Sequence, residues 1–419
     1  MKLKLLLKDK KKIISNFFSL SVLQALNVFL PLITIPYLLR VLGIETFGLV
    51  VFAQSFIYYF AIFIDYGFDY SATREVSINR DNKNKVAEIF SVVMQIKMLF
   101  VVISFVVMTL IINYFDQFNS NINLYYITFI YVIGNAMFPI WYFLGHEDMK
   151  FVTYINLIAK GSFTIFIFIF INNSDDYMYV PLLNGLGYII AGIVSLLLIF
   201  KKYKQKFRFY NIKIVRKYLK DSTDYFFSRL SVSMFTTSNV FVLGMFVDMI
   251  TVGFFSVAEK LYNAVRGLYG PVSTTLYPYI SNKKDVYFYK KVFNLVCCFN
   301  FIFVALLWYF APFLIETISG EYIEVSINIF RILIIFAIIT VPSSLLGYSF
   351  LAALGYKKYA NYSVIIASII HVLGLFLLSL FNKITIYNIV YMIALSECII
   401  FIIRIYAIRK HNLWVILKK

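Results

Sequence analysis

Apolar residues in this chain gather into long runs separated by short polar segments. Each run is about 20 residues or more, the length an α-helix needs to cross a bilayer. Twelve such runs are expected, near 13–39, 46–70, 86–112, 123–144, 151–172, 178–200, 222–247, 250–280, 292–315, 323–354, 359–381 and 384–403. The runs do not alternate with period two, which excludes the strands of a membrane barrel. The reading is an all-α polytopic membrane protein.

Charge adds a topology. Segments on one side of the twelve runs carry 31 of the 39 Lys and Arg, and the other side carries two, Arg40 and Lys383. The positive-inside rule then places both termini in the cytoplasm, together with the loops near 71–85, 145–150, 201–221, 281–291 and 355–358. A net charge of +18 would suggest nucleic acid in a soluble protein. Here the loop asymmetry accounts for it, so no nucleic acid partner is expected. Met1 to Lys12 holds six Lys, but the apolar run that follows continues as a span and does not read as a cleaved signal. Cys297, Cys298 and Cys398 all fall within expected spans, with no disulfide framework or metal site among them. No cofactor is implied.

The longest external loop, about Asn113 to Asn121, holds one Asp and no cation. No soluble domain fits, which argues against glycosyltransferases and polymerases that need a large external loop. No phosphate-binding G-x-x-x-x-G-K-[ST] motif occurs. The midpoint segment Lys201 to Lys220 holds nine cations and no acids. It is either a plain linker or an interfacial helix with Ile214, Val215, Tyr218 and Leu219 toward the inner leaflet. It divides the chain into an N-terminal lobe at 1–200, a basic cytoplasmic linker at 201–221 and a C-terminal lobe at 222–419. The halves echo each other. Phe17-Phe18-Ser19 opens the first run and Phe226-Phe227-Ser228 the seventh; Gly48 to Ala53 in the second matches Gly253 to Ala258 in the eighth. Six spans per half make these parallel repeats, with substrate expected between them.

Polar stripes mark helix faces turned away from lipid. Gln24 and Asn27 lie on the first span, and Asn156 and Lys160 share a face of the fifth. Glu259, Asn263 and Arg266 stand at i, i+4 and i+7 on the eighth. Six cations fall inside spans: Lys97, Lys160, Arg229, Lys260, Arg266 and Arg331. Each costs at least about 2.5–3.5 kcal/mol there unless paired or wetted. The acids at similar depth are Asp65, Glu259 and Glu397, which leaves a surplus of positive charge suited to an anionic cargo. Glu259 is expected to pair with Arg266 across two helical turns, or else to take up and release a proton. Asp65 and Asp69 have a local alternative, pairing with Arg74 or an interfacial Lys. Prolines 31, 36, 139, 271, 278, 312 and 342 lie within spans as candidate kinks.

Four segments carry a resemblance. Arg40-Val-Leu-Gly-Ile-Glu-Thr-Phe-Gly48, Asp65-Tyr-Gly-Phe-Asp-Tyr-Ser-Ala-Thr-Arg-Glu75, Pro139-Ile-Trp-Tyr-Phe-Leu-Gly145 and Phe255-Ser-Val-Ala-Glu-Lys260 resemble the corresponding stretches of Wzx-type polysaccharide flippases. These belong to the multidrug/oligosaccharidyl-lipid/polysaccharide exporter superfamily. The resemblance implies two six-helix bundles around a central cavity, working by alternating access. It implies a cargo of polyprenyl-pyrophosphate-linked oligosaccharide moved from the cytoplasmic to the outer leaflet of the bacterial plasma membrane, as in O-antigen or capsule synthesis. The cationic cavity it implies maps onto the six intramembrane cations, with Gln24, Asn27, Asn156 and Asn263 as polar lining and Asp65, Glu259 and Glu397 as ion-coupling candidates.

Partners are then the lipid-linked oligosaccharide and membrane lipids. A proton or sodium gradient and the polysaccharide polymerase machinery are left open. Two other readings stay within the superfamily: a multidrug or cation antiporter, which calls for a net acidic cavity, and a flippase for peptidoglycan lipid precursors. A membrane enzyme acting on lipid-linked sugars is a different class. Its only adjacent external acids, Asp175 and Asp176, lie in a turn of about five residues, too short for a site.

Overall fold

A computed structural model describes residues 2–414, with side chains at Ser19 and at 22–414. The basic segment 1–12 and the Phe17-Phe18 half of the repeat match lie outside the described side chains. Every expected run is helical. α1 (Lys2–Asp65) covers the first two and is interrupted only at Gly43, with φ 76° and ψ 166°. An L side chain would be strained at that φ, so the expected loop between the spans is reduced to a one-residue kink at glycine.

Several runs are two helices. After α1, Tyr66 and Gly67 take positive φ (40° and 74°) and start α2 (Phe68–Ile78). α3 (Lys83–Tyr114) is unbroken. Pro139 separates α4 (Ile122–Met137) from α5 (Ile140–Gly145), because it cannot donate to the preceding turn. α6 (Met149–Phe170), α7 (Tyr179–Lys201) and α8 (Ile212–Phe246) follow. The expected eighth span divides into α9 (Met249–Gly267) and α10 (Gly270–Lys283), and the ninth into α11 (Val286–Tyr309) and α12 (Ala311–Ser319). α13 (Glu324–Ser344) passes through Pro342 into a π-helical stretch, Leu345–Ala352. α14 (Lys357–Leu380) and α15 (Ile386–Lys410) complete the chain. Prolines 271 and 312 therefore begin helices rather than bend them, and Pro31, Pro36, Pro278 and Pro342 lie inside helices.

Among the described residues, nine helical stretches are long and apolar enough to cross a membrane. The first, Val22–Ile78, is 57 residues long, more than twice what one crossing needs. The expected seventh and eighth spans are helical but are not among the nine. The polar residues that single them out, Arg229 on α8 and Glu259, Lys260 and Arg266 on α9, also lower their hydropathy. The protein is multi-pass.

The contacts divide the chain into two compact units, Met1–Leu42 with Val50–Leu230, and Gly43–Leu49 with Ser231–Lys419. In the first, α7 lies along both α4 and α6. A side chain at Gly134 would meet the backbone of Tyr188 at 2.6 Å, so α4 and α7 approach as closely as small residues allow. In the second, α13 packs on α9, α11 and α15, and α15 on α14.

The basic linker packs into the first unit. Val215 and Tyr218, which one of the two readings of the linker placed toward the membrane surface, are buried, and Tyr218 donates to Glu88 Oε1 at 3.0 Å. Ser71 and Ser222 hydroxyls bond at 2.7 Å, and Tyr203 donates to Asp148. The apolar side read as a lipid-facing stripe is used in the fold.

Candidate functional site

Each unit carries polar groups at membrane depth. In the first, Lys97 on α3 is buried and its ammonium lies 2.7 Å from Asp65 Oδ1 at the end of α1. Asn135 on α4 donates to the other oxygen of Asp65 at 3.4 Å. Three helices thus converge on one carboxylate, whose side chain is 26% exposed. Asp65 pairs with Lys97 and not with Arg74; Arg74 approaches its neighbour Glu75 at 3.9 Å. Arg229 is exposed and feels Tyr58, Tyr70, Asp69 and Asp65 at longer range.

The stripe on α6 meets α1. Lys160 donates to Asn27 Oδ1 at 2.5 Å, and Asn27 is itself exposed. Lys160 has a neutral amide where an ion pair would be expected. Asn156, one turn earlier, is buried and spends its amide on the Val152 carbonyl at 2.9 Å, so it braces its own helix. Gln24 is half-buried on α1.

In the second unit, α9 presents Glu259, Lys260, Asn263 and Arg266. The expected Arg266–Glu259 pair is not the ion pair that forms. Arg266 Nη2 lies 3.1 Å from Glu397 Oε1 on α15, and Glu397 is almost fully buried. The reason is tertiary: α15 offers a carboxylate across from Arg266, whereas Glu259 is two turns away on the same helix. Glu259 and Lys260, side by side and half-buried, influence each other electrostatically. Asn263 is exposed. Arg331 lies over the Trp308 ring at 4.6 Å from its centroid and reaches the Trp308 carbonyl at 3.4 Å, an exposed contact that occupies it locally. Among the described residues, no acid lies within ion-pair distance of Lys160, Arg229, Lys260 or Arg331.

Two buried groups escaped the sequence reading. Arg404 falls one residue past the expected end of the last span, but α15 continues to Lys410 and Arg404 is only 9% exposed. It donates to the Ser343 carbonyl at 2.6 Å and to Ser363 Oγ at 3.1 Å, beside the π-helical stretch. His371 in α14 is fully buried, with Nε2 3.0 Å from Asn239 Oδ1 and Nδ1 3.0 Å from Ser396 Oγ. A lone histidine inside an apolar run was the available signal. Of the acids Asp175 and Asp176, Asp176 serves the turn itself: its Oδ2 accepts the backbone N–H of Asn172 at 2.9 Å and of Asn173 at 3.1 Å.

Among the described residues, Lys160 and Arg229 in the first unit and Lys260 in the second have no acid within ion-pair distance, and Lys and Arg donors are the kind that suit phosphate oxygens.

Comparison with known proteins agrees with this fold. The chain is 27% identical over 414 residues to the "Putative O-antigen transporter" of Escherichia coli (strain K12), covering 97% of this chain and 99% of that protein. It is 27% identical over 372 residues to the protein of the same description from Shigella dysenteriae, covering 86% and 91%. Among solved structures it resembles the lipid II flippase MurJ in an inward closed conformation, with TM-score 0.71, 15% identity and 95% and 87% coverage. It also resembles an inward-facing multidrug resistance MATE family transporter of the MOP superfamily, with TM-score 0.70, 14% identity and 92% and 95% coverage. Residues 13–284, well over half of the chain, match the family described as polysaccharide biosynthesis protein, and the chain belongs to that family.

Proposed function

We propose that this chain is a flippase of the bacterial plasma membrane that moves polyprenyl-pyrophosphate-linked oligosaccharide from the cytoplasmic to the outer leaflet by alternating access. In this reading it crosses the membrane twelve times, as two six-helix lobes at 1–200 and 222–419 joined by 201–221, with both termini in the cytoplasm. The observation that carries the reading is a cation on a polar helix face whose hydrogen bond goes to the neutral Asn27, with no acid within ion-pair distance of Lys160 among the described residues. A pyrophosphate supplies the missing counter-charge, and the polar residues beside it suit sugar hydroxyls. A cation antiporter would need the opposite balance. The likeness to proteins named as an O-antigen transporter and a lipid II flippase supports a lipid-linked glycan as cargo.

With Asp65 held by Lys97 and Glu397 by Arg266, Glu259 is the coupling candidate without an ion pair within 4 Å among the described residues. Export is tested in a deletion strain that accumulates lipid-linked intermediates. Wild-type chain restores surface polysaccharide, and Lys160→Gln lowers export while membrane levels stay normal. Arg266→Lys retains partial export, because charge survives while the guanidinium fork is lost. Full export by Lys160→Gln combined with Lys260→Gln would remove the cationic site from the mechanism.

A further inference from the structure

Between Lys206 and Tyr210 the basic linker is held to α3 through its backbone. Gln95 on α3 clasps Tyr210 twice, donating to its carbonyl at 3.2 Å and accepting its N–H at 3.0 Å. One turn earlier, Ser91 accepts the N–H of Arg208 at 3.1 Å and donates to the Lys206 carbonyl at 3.3 Å. This strap turns Gln205 inward and buries it. It turns Lys206, Arg208 and Phe209 outward.

Phe209 is 79% exposed and Ile212 is 74% exposed, in a segment of nine cations and no acids. At about 1.5 Å per residue, Ser91 and Gln95 lie roughly 12 and 18 Å along α3 from its start at Lys83. The clasp therefore carries Phe209 up the side of a membrane-crossing helix. Water is a poor place for these two side chains at that level, and a headgroup boundary is a good one.

We propose that this strap is a binding site for anionic phospholipid of the inner leaflet. Phe209 and Ile212 enter the acyl boundary, and Lys206, Arg208 and Lys213 hold the headgroup phosphates. The apolar pair differs from the stripe expected from sequence, whose Val215 and Tyr218 are buried in the first unit. The proposal rests on the cytoplasmic placement of the linker given above.

The test uses the full chain carrying Phe209→Trp in phosphatidylcholine vesicles doped with brominated phosphatidylglycerol or, at the same fraction, brominated phosphatidylcholine. The fluorescence added over wild type reports the contact. Brominated phosphatidylglycerol should quench it about threefold more strongly. The preference should vanish at high salt and with Lys206, Arg208 and Lys213 changed to Gln. Equal quenching by both lipids, or none by either, would overturn the proposal. Labelling of Lys206→Cys by an impermeant maleimide from outside intact cells would instead overturn the topology beneath it. The vesicle result does not depend on transport, so a failed export assay and a failed lipid preference remain distinguishable.

Discussion

Lys97 in the first unit and Arg404 in the second are both buried cations, 1% and 9% exposed, yet they are accommodated in different ways. Lys97 faces the Asp65 carboxylate at 2.7 Å. Arg404 makes its described hydrogen bonds to neutral partners, the Ser343 carbonyl and hydroxyl and the Ser363 hydroxyl. An ammonium is a compact charge that needs a counter-charge when it leaves water. A guanidinium spreads its charge over a planar fork and can be satisfied by several dipoles. The difference teaches which cations are bound up in the structure and which stay available. Lys160, with a single amide acceptor and an exposed neighbour, belongs to the second kind.

The largest expected effect breaks the Lys97 arrangement. Lys97→Met leaves Asp65 without its counter-charge and should cost about 3–5 kcal/mol, read as a lower melting temperature of the purified protein. Lys97→Met with Asp65→Asn removes both charges and should recover most of that loss. A double variant as unstable as the single one would show that the pair is not what stabilises this region.

Arg404→Met should cost about 2–3 kcal/mol, because the Ser343 carbonyl loses a charged donor in a buried place. Arg404→Lys should recover less than half, since one ammonium cannot reach both Ser343 and Ser363 in the same geometry. The arrangement also explains Gly347, where an added Cβ would lie 2.6 Å from Arg404 Cζ. Gly347→Ala should destabilise the wild type by about 1–3 kcal/mol and the Arg404→Met variant far less. Equal costs in the two backgrounds would separate the glycine from the arginine.

Asp248, in the turn between α8 and α9, offers a smaller contrast. It caps α9, accepting the Thr251 N–H at 2.8 Å and the Thr251 hydroxyl at 2.9 Å. The backbone hydrogen bond from Thr251 holds its carboxyl below the ordinary range. A depressed folded-state value means the contribution is present above the ordinary carboxylate pKa and lost as pH falls through the folded one. Asp248→Ala should therefore cost about 1 kcal/mol near neutrality. Its melting curve should converge on wild type in acid, and a gap that persists there would exclude the charged cap.

The smallest effect is expected at Arg331, whose contacts with Trp308 are exposed. Arg331→Gln should change stability by about 0.5–1 kcal/mol at most and leave export near normal. A large export defect with normal stability would return Arg331 to the cargo site.

Much of the fold was legible because a bilayer imposes long apolar runs and a charge bias that any reader of the sequence can count. The breaks at Pro139 and before Gly270 fall where Pro139 and Pro271 mark candidate kinks, whereas the break at Tyr66–Gly67 falls inside an apolar run where hydropathy carries no signal for a helix that stops and restarts. The expected seventh and eighth runs are helical, but the polar residues that make them interesting lower their hydropathy and keep them out of the nine. Arg404 was placed outside the last span because an apolar run ends where charge begins, while the helix itself continues.

The sequence by itself determined the membrane class, the loop bias and the surplus of cations over acids, because these depend on composition along one dimension. Only the tertiary structure decided which charges meet. Arg266 pairs with Glu397, 131 positions away, and not with Glu259 on its own helix; Lys97 pairs with Asp65 and not with a nearer carboxylate. Partner choice inside a helical bundle depends on which faces of separate helices pack together. Helical period describes one helix at a time and cannot supply that.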